Sequence, residues 1–349
     1  MIVKNEAARI VRCLSSMAPF ISCWAILDTG STDGTQGIIR DFFGEREIPG
    51  RMLGKPFVDF STSRNEALNF ARSDQHLDFD YVLLADADME LVAPEGFLEL
   101  TAPAYHLLQR SGSVSYWNTR LLRRDVGARY KGVTHEYLDT DEPTVNLAGP
   151  YFIDHADGGN RAGKSDRDIE LLEADLARDP NNPRSTFYLA QSYKDAGRLE
   201  DAARAYGRRT ELGGWAEEVW YSHLSHTRIQ RLLDKPWQHD AFQTFEERPT
   251  RVEPLYDLAR YYRELGLNQI SLLFSTRGLR ISRPDDLLFV EDHVYDYGLR
   301  EEFAICAFYS RDPNIKALGH DICDSLALDR GVSAETREIA RRNATFSGV

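Results

Sequence analysis

The sequence predicts two different domains in series: an α/β domain with an open, mainly parallel sheet over residues 1–163, and an all-α, repeat-like domain over residues 164–349. Three observations predict it. The first 150 residues alternate short apolar runs with helical spacing, two of those runs end on aspartates, and the composition after Tyr151 turns to helix after helix. A chain of 349 residues is also longer than one core usually serves.

In chain order, CWAILDTG (Cys23 to Gly30) reads as a buried strand ending in a turn, and DYVLLADAD (Asp80 to Asp88) as a second strand with an acidic end. Between them, Asp33 to Phe43 and Ser63 to Arg72 carry helical spacing. Open α/β sheets bind ligands beyond the carboxyl ends of their strands, so both acidic ends point to one crevice. After the Gly-rich stretch HADGGNRAGKSDRD (His155 to Asp168), DPNNPRS (Asp179 to Ser185) is a turn and a helix start. Ala190, Tyr193, Gly197, Ala202 and Tyr206 match the small and aromatic positions of a tetratricopeptide helix pair. Ala259, Tyr262 and Gly266 repeat its start 69 residues later, close to two periods of about 34. A plain helical bundle is the alternative. A stack of helix pairs supplies a concave surface, so docking is the expected task of this half.

Composition narrows the function classes. The 42% hydrophobic and 28% charged shares are those of a globular protein, and the net charge of −13 with no long Lys/Arg run argues against nucleic-acid binding. Four scattered cysteines (Cys13, Cys23, Cys306, Cys323) form no CxxC pair, so neither a disulfide framework nor a zinc site is suggested. MIVKNEAARI lacks the apolar core of a signal peptide, and no apolar run approaches the roughly 20 residues of a membrane span. A cytoplasmic enzyme is the expectation.

The sharpest chemical feature is Asp86-Ala87-Asp88 after an apolar strand. Side chains two apart on a strand share a face, so both carboxylates can reach one hard cation, Mg²⁺ or Mn²⁺, that also bridges phosphate oxygens. A surface turn gives the same triplet by chance. DTGSTDGT (Asp28 to Thr35) puts a second aspartate, Asp28, at a strand end, able to accept from a nucleobase N–H or a ribose hydroxyl; a bare βα turn has the same composition. Trp117 can stack on a sugar face, although a large residue in a strand is more often core. Arg120 and Arg123 can approach phosphates, although exposed strand arginines are ordinary. Arg161 and Lys164, among Gly158, Gly159 and Gly163, fit either a lid that meets a diphosphate or a flexible linker.

Taken together, MIVKNEA (Met1 to Ala7), DTGSTDGT, FSTSRNEAL (Phe60 to Leu68), DADMEL (Asp86 to Leu91), YKGVTHEYL (Tyr130 to Leu138) and the strand ending at His155 resemble the family-two glycosyltransferases of the GT-A (Rossmann-like) fold. The resemblance covers essentially residues 1 to 160, and the helical half is similar to the tetratricopeptide-like extension of some bacterial members. One departure is that the family's first strand begins a few residues ahead of MIVKNE. The resemblance implies that Val3, Lys4 and Glu6 edge the nucleobase and ribose, that Asp28 binds the base, and that Arg64 or Asn65 sits near the uracil or diphosphate. It places Asp86 and Ala87 at the ribose and metal side, Asp88 on the metal and His155 as a late metal ligand. A satisfied histidine at a strand end is the plain alternative for His155. Glu136 is the candidate base for an acceptor hydroxyl, with its neighbour His135 as the other possibility.

The implied reaction is metal-dependent, inverting transfer of a hexose-type sugar from a nucleoside-diphosphate sugar, UDP favoured, to an acceptor hydroxyl. The acceptor is a saccharide, a lipid-linked saccharide or a peptide, with docking or homodimerisation through the helical half. Three rivals stand beside it. A haloacid-dehalogenase-type phosphotransferase also places DxD after a strand, but Met89-Glu90 follow here and two strands precede. A nucleotidyltransferase would need an N-terminal glycine-rich loop, which is missing from MIVKNEAARI. A non-catalytic nucleotide-binding or tetratricopeptide scaffold would leave the helical half to do the work.

Overall fold

The structure, a computed structural model, describes residues 1–94, 99–111, 114–155, 157 and 164–347. It divides into two compact units, Met1–Pro180 and Asn181–Val349. The division falls after Pro180 rather than after residue 163. Helix Lys164–Arg178 therefore belongs to the first unit, where its Asp168 accepts from the Thr134 hydroxyl at 3.2 Å.

The first unit begins with β1 (Ile2–Val3), α1 (Ile10–Met17), β2 (Trp24–Asp28), α2 (Thr35–Gly44), β3 (Gly50–Gly54) and α3 (Phe60–Ser73). β1, β2 and β3 form a parallel three-stranded sheet in that order. α1 buries Ile10, Cys13, Leu14 and Met17, one stripe at helical spacing. Together with Ile26 of β2 and Ile39, Phe42 and Phe43 of α2, its Ile10 and Leu14 make one apolar cluster. α3 starts cleanly because Asp59 caps it, accepting from the Thr62 N–H at 2.7 Å.

The second sheet is mixed. β4 (Tyr81–Leu83), β5 (Met89–Val92), β6 (Ala104–Ser111), β7 (Val114–Arg123) and β10 (Thr144–Asp154) lie in the order β4-β7-β6-β10-β5, and only β6 and β10 run parallel. The mainly parallel sheet expected from the alternation holds for β1 to β3 and fails here. β6 and β7 are joined as a hairpin, and β5 returns against β10 without a crossover helix. β8 (Ala128–Lys131) and β9 (Tyr137–Thr140) form a separate ribbon before α4 (Lys164–Arg178).

β1 is two residues long and pairs only with Leu27 and Asp28. An apolar cavity of about 1580 Å³ opens beside it, lined by Trp24 and Ile26 of β2, Leu83 of β4, and Ala67 and Leu68 of α3 among others. Of the residues assigned to the site from sequence, only Arg64 lines it.

The second unit is all helix: α5 (Pro183–Asp195), α6 (Leu199–Glu211), α7 (Ala216–Leu232), α8 (Gln238–Glu247), α9 (Glu253–Glu264), α10 (Asn268–Gly278), α11 (Leu299–Ala307), α12 (Pro313–Leu328) and α13 (Ala334–Ser347). Each helix packs on the next in sequence. The pairs α5/α6 and α9/α10 are copies of one tetratricopeptide-like unit. Ala190 and Ala259 are fully buried at equivalent places, as are Ala202 and Ser271. Gly197 and Gly266 turn the chain between the paired helices at φ +73° and +74°. No helix among the described residues is long and apolar enough to cross a membrane.

Candidate active site

The loops after β1 and β2 are stitched into one platform. The Asn5 N–H donates to Ser31 Oγ (2.9 Å), Thr32 N–H to Asn5 Oδ1 (2.8 Å), Glu6 N–H to Thr35 Oγ1 (2.8 Å) and Ala7 N–H to Asp33 Oδ2 (3.0 Å). This is the physical content of having NEA and STDGT in the two loops: short polar side chains take the backbone donors that the turns leave open. Val3 is buried, and its carbonyl accepts from both the N–H and the hydroxyl of Thr29. Lys4 is half-buried and Glu6 buried.

Asp28 sits at the carboxyl end of β2, 1% exposed. Its Oδ1 accepts from the N–H groups of Gly30 and Ser31 and from Gln36 Nε2, each at 2.9 Å. Burial alone would raise its pKa, but the donors of Ser31, Gly30 and Gln36 hold the carboxylate below its ordinary range. The other oxygen, Oδ2, is buried and has no hydrogen-bond partner among the described residues. A buried acceptor left unmet costs on the order of 1–3 kcal/mol, so this oxygen is the natural place for a ligand N–H or O–H.

Asp86-Ala87-Asp88 is not on a strand. β4 ends at Leu83, and the triplet forms a turn closed by the Met89 N–H donating to the Asp86 carbonyl at 3.1 Å. The two carboxylates therefore do not share a strand face as the spacing suggested. Asp86 is held by two arginines: Arg64 Nη2 lies 2.5 Å from Oδ1 and Arg120 Nη1 3.2 Å from Oδ2. Burial would raise its pKa, yet these two guanidinium groups hold it well below the carboxylate range. Asp88 lies half-buried on the turn. β10 pairs Asp154 with Met89, which brings His155 opposite Asp88, and the His155 N–H donates to the Asp88 carbonyl at 3.3 Å. The His155 ring contacts Glu90 at 2.9 Å.

Arg64 has a second partner: its Nε lies 2.5 Å from Glu136 Oε1. The loop that delivers Glu136 is bent at Gly132 (φ +99°) and His135 (φ +49°), and it is tied down by the Phe60 N–H on the Val133 carbonyl (3.0 Å). A left-handed histidine persists only where its surroundings over-determine it. His135 faces Asp168 at 3.9 Å while Glu136 faces Arg64, so the two neighbours serve different partners. Asn65 clamps the backbone of Tyr130 with both ends of its amide, at 2.7 and 2.9 Å, which fixes α3 against β8 and leaves the neighbouring Arg64 to reach the acids.

Arg120 is not the exposed strand arginine that its pattern suggested. It is 5% exposed and binds Gln109 Oε1 (2.8 Å) besides Asp86, while Gln109 bonds the Tyr116 hydroxyl at 2.7 Å. Its signal was alternation, since it shares a face of β7 with the fully buried Leu122. Trp117 is 44% exposed, so the core reading of that residue is set aside. Arg161 and the side chain of Lys164 lie outside the described residues; the Lys164 backbone opens α4.

Residues 1–113 match the family described as glycosyl transferase family 2. The N-terminal unit carries a family-two glycosyltransferase domain over residues 1–113. The chain is 27% identical over 297 residues to a TPR repeat-containing protein of Synechococcus elongatus, covering 76% of this chain and 70% of that one. It is 26% identical over 208 residues to the SPbeta prophage-derived glycosyltransferase SunS of Bacillus subtilis, covering 55% of this chain and spanning 47% of SunS. The crystal structure of MamA covers 53% of this chain and 88% of its own at 13% identity, with a TM-score of 0.35 that carries no argument. Within this glycosyltransferase domain lie Asp28 and the Arg64–Asp86 pair; Glu136 and His155 follow beyond the matched segment.

Proposed function

We propose that the chain catalyses metal-dependent, inverting transfer of a hexose-type sugar from a nucleoside-diphosphate sugar, UDP favoured, to an acceptor hydroxyl. The observation that carries the reading is the Asp86–Arg64–Glu136 chain, which joins the acidic turn of a family-two domain to an acid on the loop beyond it. Asp28 Oδ2 takes a base N–H, and Val3, Lys4, Glu6 and Ala87 edge the nucleoside. Glu136 accepts the acceptor's proton as its oxygen bonds the anomeric carbon and the bond to the diphosphate breaks on the far side, so configuration inverts. Trp117 offers its exposed ring to a sugar face.

The described residues hold no cluster of three His, Cys, Asp or Glu side chains fit for a metal. Asp88 and His155, on facing strand ends, fit a Mn²⁺ or Mg²⁺ ion that draws its other ligands from diphosphate oxygens and water. Such an ion would neutralise charge on the departing diphosphate. Four unpaired cysteines suit a reducing compartment, and we assign the chain to the cytoplasm. The helical unit is assigned to docking of the acceptor or of a second copy.

Calorimetry with UDP and Mn²⁺ tests this. The wild type binds UDP more tightly with Mn²⁺ than without, and Asp88→Ala removes that difference. A wild type that binds neither UDP nor GDP with Mn²⁺ leaves the scaffold reading in its place.

A further inference from the structure

We infer that Arg64 is the positioning residue of the transfer reaction: it locks the acceptor-side base, Glu136, to the donor-side acid, Asp86, so that the two halves of the site hold one geometry. The inference rests on the glycosyl-transfer reading above and on Glu136 as the base.

Asp86 and Glu136 are two carboxylates whose side chains are 20% and 12% exposed, and both converge on one guanidinium that is 16% exposed. Two like charges this enclosed need a shared cation. Arg120 takes only the second oxygen of Asp86 and does not reach Glu136, so the link between the two acids is Arg64 alone among the described residues. Two arms of the fork are used: Nη2 meets Asp86 and Nε meets Glu136, each at 2.5 Å. A lysine presents a single point charge and cannot span the two in fixed directions.

Stiffness follows from what surrounds the fork. The Asp59 cap and the Asn65–Tyr130 clamp fix the turn of α3 that carries Arg64. The guanidinium also lies 5.5 Å from the centre of the Tyr130 ring. On the other side, Arg120 anchors Asp86 to Gln109, which reaches Asp154 at 3.4 Å, one residue before His155. A continuous polar chain thus runs from the base to the strand end that carries His155. The loop backbone is fixed by the Phe60–Val133 hydrogen bond, and the direction of the Glu136 carboxylate beyond it is set by its ion pair with Arg64. Displacing a reacting group by about 1 Å can cost a factor of about 10² in rate.

A plain structural role for the same ion pair would lower stability and leave the chemistry alone. A double-mutant cycle on turnover separates the two. Release of nucleoside diphosphate is followed with UDP-glucose, UDP-galactose, UDP-N-acetylglucosamine and GDP-mannose as donor probes, and the fastest is kept. Arg64→Gln is expected to lower kcat roughly 10- to 100-fold with donor KM changed far less. In a Glu136→Gln background the same substitution should lower kcat by less than about threefold, because no base is left to position. Arg64→Lys, which keeps the charge and preserves folding should Arg64→Gln unfold, should recover only part of kcat. Equal losses from Arg64→Gln in both backgrounds overturn the positioning role while leaving the reaction assigned. Full turnover in Glu136→Gln alone removes the base assignment and this inference with it, and so does failure of all four donors to turn over.

Discussion

The two units each bury a knot of arginines and carboxylates, and the difference between the knots separates a site from a strut. In the helical unit Arg251 and Glu253 are fully buried, with Asp286 beside them. The guanidinium uses Glu253, Asp286 and the carbonyls of Leu288 and Phe289, and it lies 4.2 Å from the centre of the Trp220 ring. Tyr295 completes Glu253 from the other side at 3.0 Å. Arg251 and Glu253 are closed off from solvent, and Asp286, 9% exposed, also pairs with Arg248. In the glycosyltransferase unit the knot of Arg64, Arg120, Asp86 and Glu136 keeps each acid partly open to solvent and sits beside a strained backbone turn. Shifted pKa values mark both knots. Solvent reach distinguishes them: the Arg251 and Glu253 side chains are 0% exposed, whereas those of Asp86 and Glu136 are 20% and 12% exposed.

The site knot is most sensitive at its base. Glu136→Gln should lower turnover by about 10²- to 10⁴-fold, as loss of a general base does, while UDP affinity measured by calorimetry stays within a fewfold of wild type. Retained turnover would mean that the partly open knot is also only a strut.

From the other side, Arg251→Met should destabilise the chain by roughly 3–5 kcal/mol, because Glu253 is left charged and buried without its partner. Urea unfolding measures this, with UDP affinity of the folded variant unchanged. Replacing both Arg251 and Glu253 with methionine should recover most of the loss, since an apolar pair of similar volume removes the desolvation that the ions carried. A double variant as weak as the single one would show that the knot does more than hold α9 to the segment after Arg283.

What could be read in advance follows the range of the interactions. The Asp28 loop was legible because its chemistry is local: Gly30, Ser31 and Gln36 all lie within eight residues of the acid they satisfy. The repeat was legible because a glycine in a left-handed turn marks the α5/α6 and α9/α10 pairs at the same offset. The Arg64–Glu136 pair spans 72 residues of sequence, and no periodicity reports such a contact. Arg120 was hidden for a related reason, since a strand arginine is ordinary until the sheet order shows which face is covered. The acidic triplet was found in sequence but given the wrong local geometry. A DAD run after apolar residues continues a strand by pattern, whereas the hydrogen bond from Met89 to Asp86 ends it in a turn. The mixed second sheet escaped for the same cause, because alternation of strands and helices is a property of residues 1 to 73 and not of the hairpins after Tyr81.

Within the helical unit, the two repeat pairs differ least where their turns are built alike. Gly197 and Gly266 close α5 and α9 with the same two hydrogen bonds: the N–H of Arg198 on the Tyr193 carbonyl and of Leu267 on the Tyr262 carbonyl, with the glycine N–H on Lys194 or Arg263. A Cβ built at either glycine meets nothing within 4 Å, so an alanine there suffers only the left-handed backbone. That strain is on the order of 1–2 kcal/mol, and it should be equal at the two sites if the pairs are true repeats. Gly197→Ala and Gly266→Ala should therefore each lower urea stability by about the same amount and add in the double variant, the sites being separate. Unequal losses would show that one turn is relaxed by its surroundings and that the two helix pairs, alike in sequence, are not alike in energy.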